Sequence, residues 1–135
     1  MNDIELEFKP QPKIRLKPKC TIHKNGRLGF NTEAIQLMNI DSTKHAMIAI
    51  NKKDKSDKNL YIKISTFNEN GSYKIVKAGA YYYLYTALFF NDMEIDYINK
   101  KIMYDVERFS YKGTELFKLI PREKSRKKKN IKKKE

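Results

Sequence analysis

The sequence predicts an α+β fold, a β-rich single domain built from repeated strand-helix-hairpin units, for which a pseudo-dimeric small barrel is one packing. Three observations lead there. Short apolar runs alternate with polar residues at a period of two, and turn pairs such as Asn25-Gly26 and Lys112-Gly113 punctuate them. Two stretches instead carry helical spacing. The 135 residues are enough for one hydrophobic core and too few for two.

Residues 1–19, "MNDIELEFKPQPKIRLKPK", contain Pro10, Pro12 and Pro18 and a loose alternation of Ile4, Leu6 and Phe8, which suits an extended N-terminal arm or an edge strand. The body, 20–121, opens with "CTIH", the Asn25-Gly26 turn and "RLGF", a β-hairpin whose turn calls for positive φ. Asn31 fits an N-cap for "TEAIQLMNI", where Ala34, Ile35, Leu37 and Met38 form one apolar stripe. "HAMIAIN" and "LYIKIS" flank the charged stretch 52–59 as a second hairpin. After the turn at 68–71 and "SYKIVKAG", Ala80–Phe90 is expected to form a second, more apolar helix. Its aromatic residues Tyr81, Tyr82, Tyr83, Tyr85, Phe89 and Phe90 are expected in the core rather than as stacking platforms. "KKIMYDVERF" and "ELFKLI" close the body as a third hairpin.

"MNIDSTKHAMIAI" and "MEIDYINKKIMYDV" share a helix end, an Ile-Asp step and a following strand, which divides the body into repeats 20–66 and 72–121.

The net charge is +13, but its distribution is uneven. Residues 122–135, "REKSRKKKNIKKKE", hold nine basic and two acidic side chains and read as a disordered basic tail, leaving only +4 for 20–121. Lysine, asparagine and isoleucine all have A/T-rich codons, so genome composition accounts for part of the excess. Such lysines neutralise phosphates and release counterions without choosing a sequence. The expected nucleic-acid contacts are Lys24 and Arg27 in the first turn, Lys52, Lys53, Lys55 and Lys58 in the charged loop, and Arg122, Arg126, Lys127, Lys128, Lys129, Lys132, Lys133 and Lys134 in the tail. Arg27 suits a base contact because its planar guanidinium can donate two parallel hydrogen bonds.

From Cys20 to Ile64, strand, Gly26-Arg27 turn, strand, short helix and charged hairpin together resemble the AbrB/MazE swapped-hairpin DNA-binding family. The resemblance covers about a third of the chain. It implies interleaved hairpins completing a small barrel, with the second half of this chain standing in for a partner. The proline usual before the family's helix is replaced by Phe30-Asn31, and the helix "TEAIQLM" lacks the arginines that face DNA in that family. A Whirly-like single-strand-binding architecture is a second resemblance of the same kind.

Catalytic signatures are not evident. Asp92, Glu94, Asp96 and Asp105 could supply oxygen ligands to magnesium, yet a helix end, solubility and a strand exit explain them without a metal. His23 and His45 are isolated in sequence, and the single Cys20 forms no intramolecular disulfide, which fits a reducing cytoplasm. No run reaches the roughly 18 apolar residues a membrane span needs. The expectation is a nonenzymatic nucleic-acid-binding protein, a regulator or phage- or plasmid-borne accessory factor. It takes DNA ahead of RNA, needs no cofactor or metal, stays off membranes, and is a monomer or small homo-oligomer. The competing expectation is a structural or assembly protein whose arm and tail contact other subunits or packaged nucleic acid.

Overall fold

The computed structural model describes residues 3–11 and 16–126. β1 (Lys19–Ile22) and β2 (Leu28–Phe30) form the first hairpin, followed by α1 (Thr32–Met38), β3 (His45–Ala49) and β4 (Leu60–Ser65). Then come β5 (Tyr73–Lys74), β6 (Val76–Ala78), β7 (Tyr81–Leu84), α2 (Ala87–Asp92), β8 (Lys100–Tyr111) and β9 (Thr114–Ser125). All strands join one sheet in the order β5-β3-β4-β9-β8-β1-β2-β7-β6. Its two end strands are consecutive in the chain, separated only by Ile75, so the sheet curls into a nearly closed barrel. Inside lie Cys20, Ile22, Leu28, Phe30, Leu60, Ile62, Leu84, Ile102, Tyr104 and Leu119, the inward-facing residues of neighbouring strands. Burial raises the Cys20 thiol well above its usual range.

Asn31 does two jobs at the start of α1. Its Oδ1 accepts from Ala34 N at 2.8 Å as the N-cap, and also from Lys19 N at 3.0 Å, while its Nδ2 donates to Lys17 O at 2.8 Å. One side chain therefore starts the helix and fixes the entry of β1.

Three expectations change. The tyrosine run forms β7, not a helix: β-favouring tyrosines pair with β2 (Leu28 with Leu84, Gly29 with Tyr83, Phe30 with Tyr82), and only six residues after Leu84 and Tyr85–Thr86 are helical. The basic tail does not begin at 122, because β9 continues to Ser125 in register with Lys100 of β8, and Arg126 N donates to Asn99 O. The first hairpin forms where expected, closed by a three-residue loop in which His23 N donates to Arg27 O and Gly26 N donates to His23 O, with the positive φ on Gly26, at 83°. Finally, strand-helix-hairpin order occurs as β2-α1-β3-β4 and β7-α2-β8-β9, but the closing hairpins differ greatly in length, with β3 and β4 of five and six residues against twelve each in β8 and β9. The order alone does not establish a repeated unit.

Thr86 joins the first hairpin to the second half of the chain. It is fully buried, its Oγ1 accepts from Leu28 N at 3.0 Å, and its single proton goes to Gly26 O at 2.9 Å, the nearer of two carbonyls. A Cβ on Gly26 would fall 2.6 Å from Ala87 Cβ, so the turn sits directly on the first residue of α2. Thr86→Val keeps the shape and strands both backbone partners. We expect it to lower stability by about 2–4 kcal/mol, with Thr86→Ser losing clearly less; urea unfolding of the three proteins checks this.

Candidate nucleic-acid interface

The alternation of β7 decides where its tyrosines go. Leu84 is buried and Tyr82 packs on the core, so Tyr81 and Tyr83 point outward, and Tyr85 follows them at the strand end. Tyr81 is 72% exposed. The expectation that this aromatic cluster is core therefore holds for Phe90 and not for Tyr81 or Tyr85. The helical spacing of this stretch is coincidental, and its side chains follow the period of two of a strand.

Arg27 lies against this row. Its guanidinium carbon is 4.9 Å from the centroid of Tyr83 and 4.6 Å from that of Tyr85, within cation–π range of both. The two rings meet edge to face, with centroids 5.3 Å apart and hydroxyls 3.3 Å apart. Mutual hydrogen bonding, then desolvation, raises the Tyr83 hydroxyl's pKa. The backbone explains the placement: Thr86 holds Gly26 O and Leu28 N from inside, on either side of residue 27, and Asn25 Oδ1 accepts from Arg27 N at 3.0 Å.

The register extends the surface across five strands. Tyr83, Gly29, Thr21, Met103 and Arg122 are successive cross-strand neighbours on the outer face. One step along, Lys101 pairs with Lys124, and His23 follows Ile22, which pairs with Ile102. Arg27, Lys101 and Lys124 thus form a basic band beside the tyrosines, with the His23 imidazole among them. At roughly 4.8 Å per strand the sheet face is about 20 Å wide. The His23 ring lies over Gly29, where a Cβ would fall 2.5 Å from His23 Nε2, so glycine is what lets the imidazole rest on the sheet. A shallow groove of about 500 Å³ runs between Thr21, His23, Arg27, Gly29, Tyr81 and Tyr83.

The expected contact residues do not form one cluster. Lys24 is exposed on the turn beside Arg27. Lys52, Lys55 and Lys58 instead line a different cleft, and Lys53 is exposed on the same loop. That loop is held by repeated side-chain turns, in which Asn51, Asp54 and Asp57 accept from the backbone N–H two residues onward, at Lys53, Ser56 and Asn59. The hydrogen bond from Asn59 N, followed by that from Asn51, holds the Asp57 carboxyl below its usual range. Arg122 is tied to Asp105. Arg126 has a structural place: its Nε donates to Tyr97 O at 3.2 Å and its Nη2 to Ile22 O at 3.4 Å. Lys127, Lys128, Lys129, Lys132, Lys133 and Lys134 lie outside the described residues. Tyr81, Tyr83, His23, Lys101 and Lys124 share the outer face with Arg27, although the basic-residue pattern did not point to them. The period-two spacing of Tyr81, Tyr83 and Tyr85 was the available signal.

Comparison with known proteins finds no matching family model, and no curated protein or solved structure matches the chain. Among the described residues, no helix is long and apolar enough to cross a membrane.

His23 offers a check on this geometry. Partial burial, then the charges of Arg126 and Lys101, lower its pKa below the ordinary 6.5. The unfolded chain therefore binds more protons just below pH 6.5, so stability rises with pH through that window and falls as the pH drops from 7.5 to 5.5. His23→Gln is expected to flatten that part of the stability profile. Denaturant titrations at several pH values measure it, and the lowered carboxylates Asp41, Asp57 and Asp96 titrate well below the window.

Proposed function

We propose that the protein binds single-stranded nucleic acid on the outer face of β7, β2, β1, β8 and β9. The observation that carries this reading is Arg27, stacked on Tyr83 and Tyr85 beside a 72% exposed Tyr81. Exposed aromatic rings accept bases of any identity, and a neighbouring cationic band follows the phosphates. Arg27 contributes to both. Stacking restricts its orientation, while the edge of the guanidinium still offers donors to a phosphate or base.

A face of this kind suits splayed bases better than a duplex, whose bases are stacked and whose edges lie within grooves. Duplex DNA is the competing ligand, favoured by the resemblance of residues 20–64 to the AbrB/MazE family. In that case Arg27 is a base-reading side chain at a protruding turn, and the tyrosines contribute little. Regulation, or an accessory role in a phage or plasmid, then depends on which nucleic acid is bound.

Tyr81→Ala removes a ring with few packing duties and is expected to weaken a labelled single strand by about 1–3 kcal/mol while leaving duplex affinity nearly unchanged. Arg27→Ala weakens the same strand and lowers the slope of affinity against salt by about one ion. Lys53→Ala, on the separate loop, serves as a control for general charge. Fluorescence anisotropy with single-stranded and duplex forms of one sequence, at several salt concentrations, measures all three. Equal losses on both ligands, or none for Tyr81→Ala, remove the aromatic face from the function.

A further inference from the structure

The arm and a cleft at one end of the barrel have matching chemistry. Residues 3–9, "DIELEFK", alternate acidic and apolar side chains as far as Phe8 and end on Lys9, and Ile4, Leu6 and Phe8 are 69%, 76% and 90% exposed. Three large apolar side chains in water are costly unless they are covered, and in a strand their alternate spacing would bring them to one side. Pro10 ends the alternation, so the segment has the length of one strand.

A sheet edge of similar length is available. β9 pairs with β4 only at 117–119, whereas its pairing with β8 runs through Ser125. Arg126 N donates to β8-side Asn99 O, which sets the alternation: even-numbered residues of β9 turn their backbone groups toward β8, and Pro121, Glu123 and Ser125 turn theirs away. Pro121 lies at one of these outward positions, where its missing N–H costs the β8 ladder nothing, and Glu123 and Ser125 are left as the N–H donors of this edge. That edge borders a cleft of about 710 Å³ whose floor includes Leu60, Ile102, Tyr104 and Pro121 and whose rim carries Met93 and Ile95.

We infer that the arm of one copy adds as a strand to the free edge of β9 in a second copy. In that pairing Ile4, Leu6 and Phe8 enter the cleft on the side of Leu119 and Pro121. Asp3, Glu5 and Glu7 then fall on the outer side with Arg122 and Lys124, so the charges are complementary as well as the apolar pattern. The segment spans about 23 Å at roughly 3.3 Å per residue, enough to cover the exposed part of the edge.

The direction of the chain selects a second copy over the arm's own body. β1 runs antiparallel to β8 from Lys19, opposite Asp105, to Ile22, opposite Ile102. The chain before Lys19 therefore heads toward the tip of the β8-β9 hairpin, and Val106 N donates to Pro18 O on that path. The cleft lies at the opposite end, beside Ile102 and Glu123. Pro10 and Pro18 favour extended backbone over a reversal. An arm that leaves one end and a cleft at the other make a head-to-tail contact, which closes into a ring or propagates as a filament.

Two full-length variants test this. Leu6→Lys with Phe8→Lys disables the arm and leaves the cleft; Glu123→Pro blocks the edge and leaves the arm, with the β8 ladder intact because the N–H at 123 faces outward. Wild type is expected to show a mass of two or more chains by light scattering, rising with concentration. Each variant alone should be a monomer with wild-type circular dichroism, and an equimolar mixture should form a two-chain complex, since one supplies the arm and the other the cleft. A wild type that stays monomeric at every concentration, as an arm folded back on its own body would, overturns the inference; so does a mixture of two folded variants that does not associate. None of the substituted residues lies in the tyrosine-arginine face, so single-strand binding per chain is expected to survive and reports separately on that reading.

Discussion

A single buried hydroxyl, that of Thr86, fixes how the first hairpin meets the rest of the barrel. Residue 86 follows β7 and precedes α2, a position where threonine would ordinarily cap the helix, yet its side chain makes no cap and reaches instead to Gly26 and Leu28. The energetic reason is burial. Gly26 O and Leu28 N flank the turn where strand pairing ends, and leaving two backbone groups unpartnered inside the barrel costs more than an uncapped end of a six-residue helix. With both groups held from inside, the side chain of Arg27 emerges on the outside, where β7 has placed Tyr83 and Tyr85.

Charge in this protein is organised by structural duty as much as by number. Asp54 and Asp57 staple the lysine-bearing loop through their own backbone, Asp105 pairs with Arg122, and Arg126 crosses back to the carbonyls of Ile22 and Tyr97. Counting lysines and arginines treats all of these as free cations. Cross-strand register separates them: His23, Arg27, Lys101 and Lys124 face the same side of the sheet, whereas Lys52, Lys55 and Lys58 border the cleft near β9.

Local chemistry made much of the fold legible. The capping side chain of Asn31, the hairpin around Gly26 and the strands around 45–49 and 60–65 follow from short-range rules, and each recurs in the structure. The tyrosine run was misread because apolar density looks alike at either period over so few residues, and the deciding partner, β2, lies more than fifty positions away. The same distance hides the site. Nothing local links Arg27 to Tyr83, and nothing in "YLYTALFF" marks Thr86 as a clamp rather than a cap. The limit of the body was missed for a related reason: "REKS" is polar enough for a tail, but its backbone continues a ladder started by Lys100.

Under the proposed function, Arg27 depends on Thr86 for its placement, and the two act on a ligand as one unit although only the first can reach it. A double-mutant cycle on single-strand affinity, using Thr86→Val, Arg27→Ala and the combined variant at a temperature where all are folded, measures that dependence most directly. The prediction is a coupling of about 1 kcal/mol or more, because once the clamp is lost the guanidinium is no longer held against Tyr83 and Tyr85 and its removal costs little further. Losses that simply add, to within about 0.3–0.5 kcal/mol, would contradict the claim that the buried hydroxyl positions the arginine.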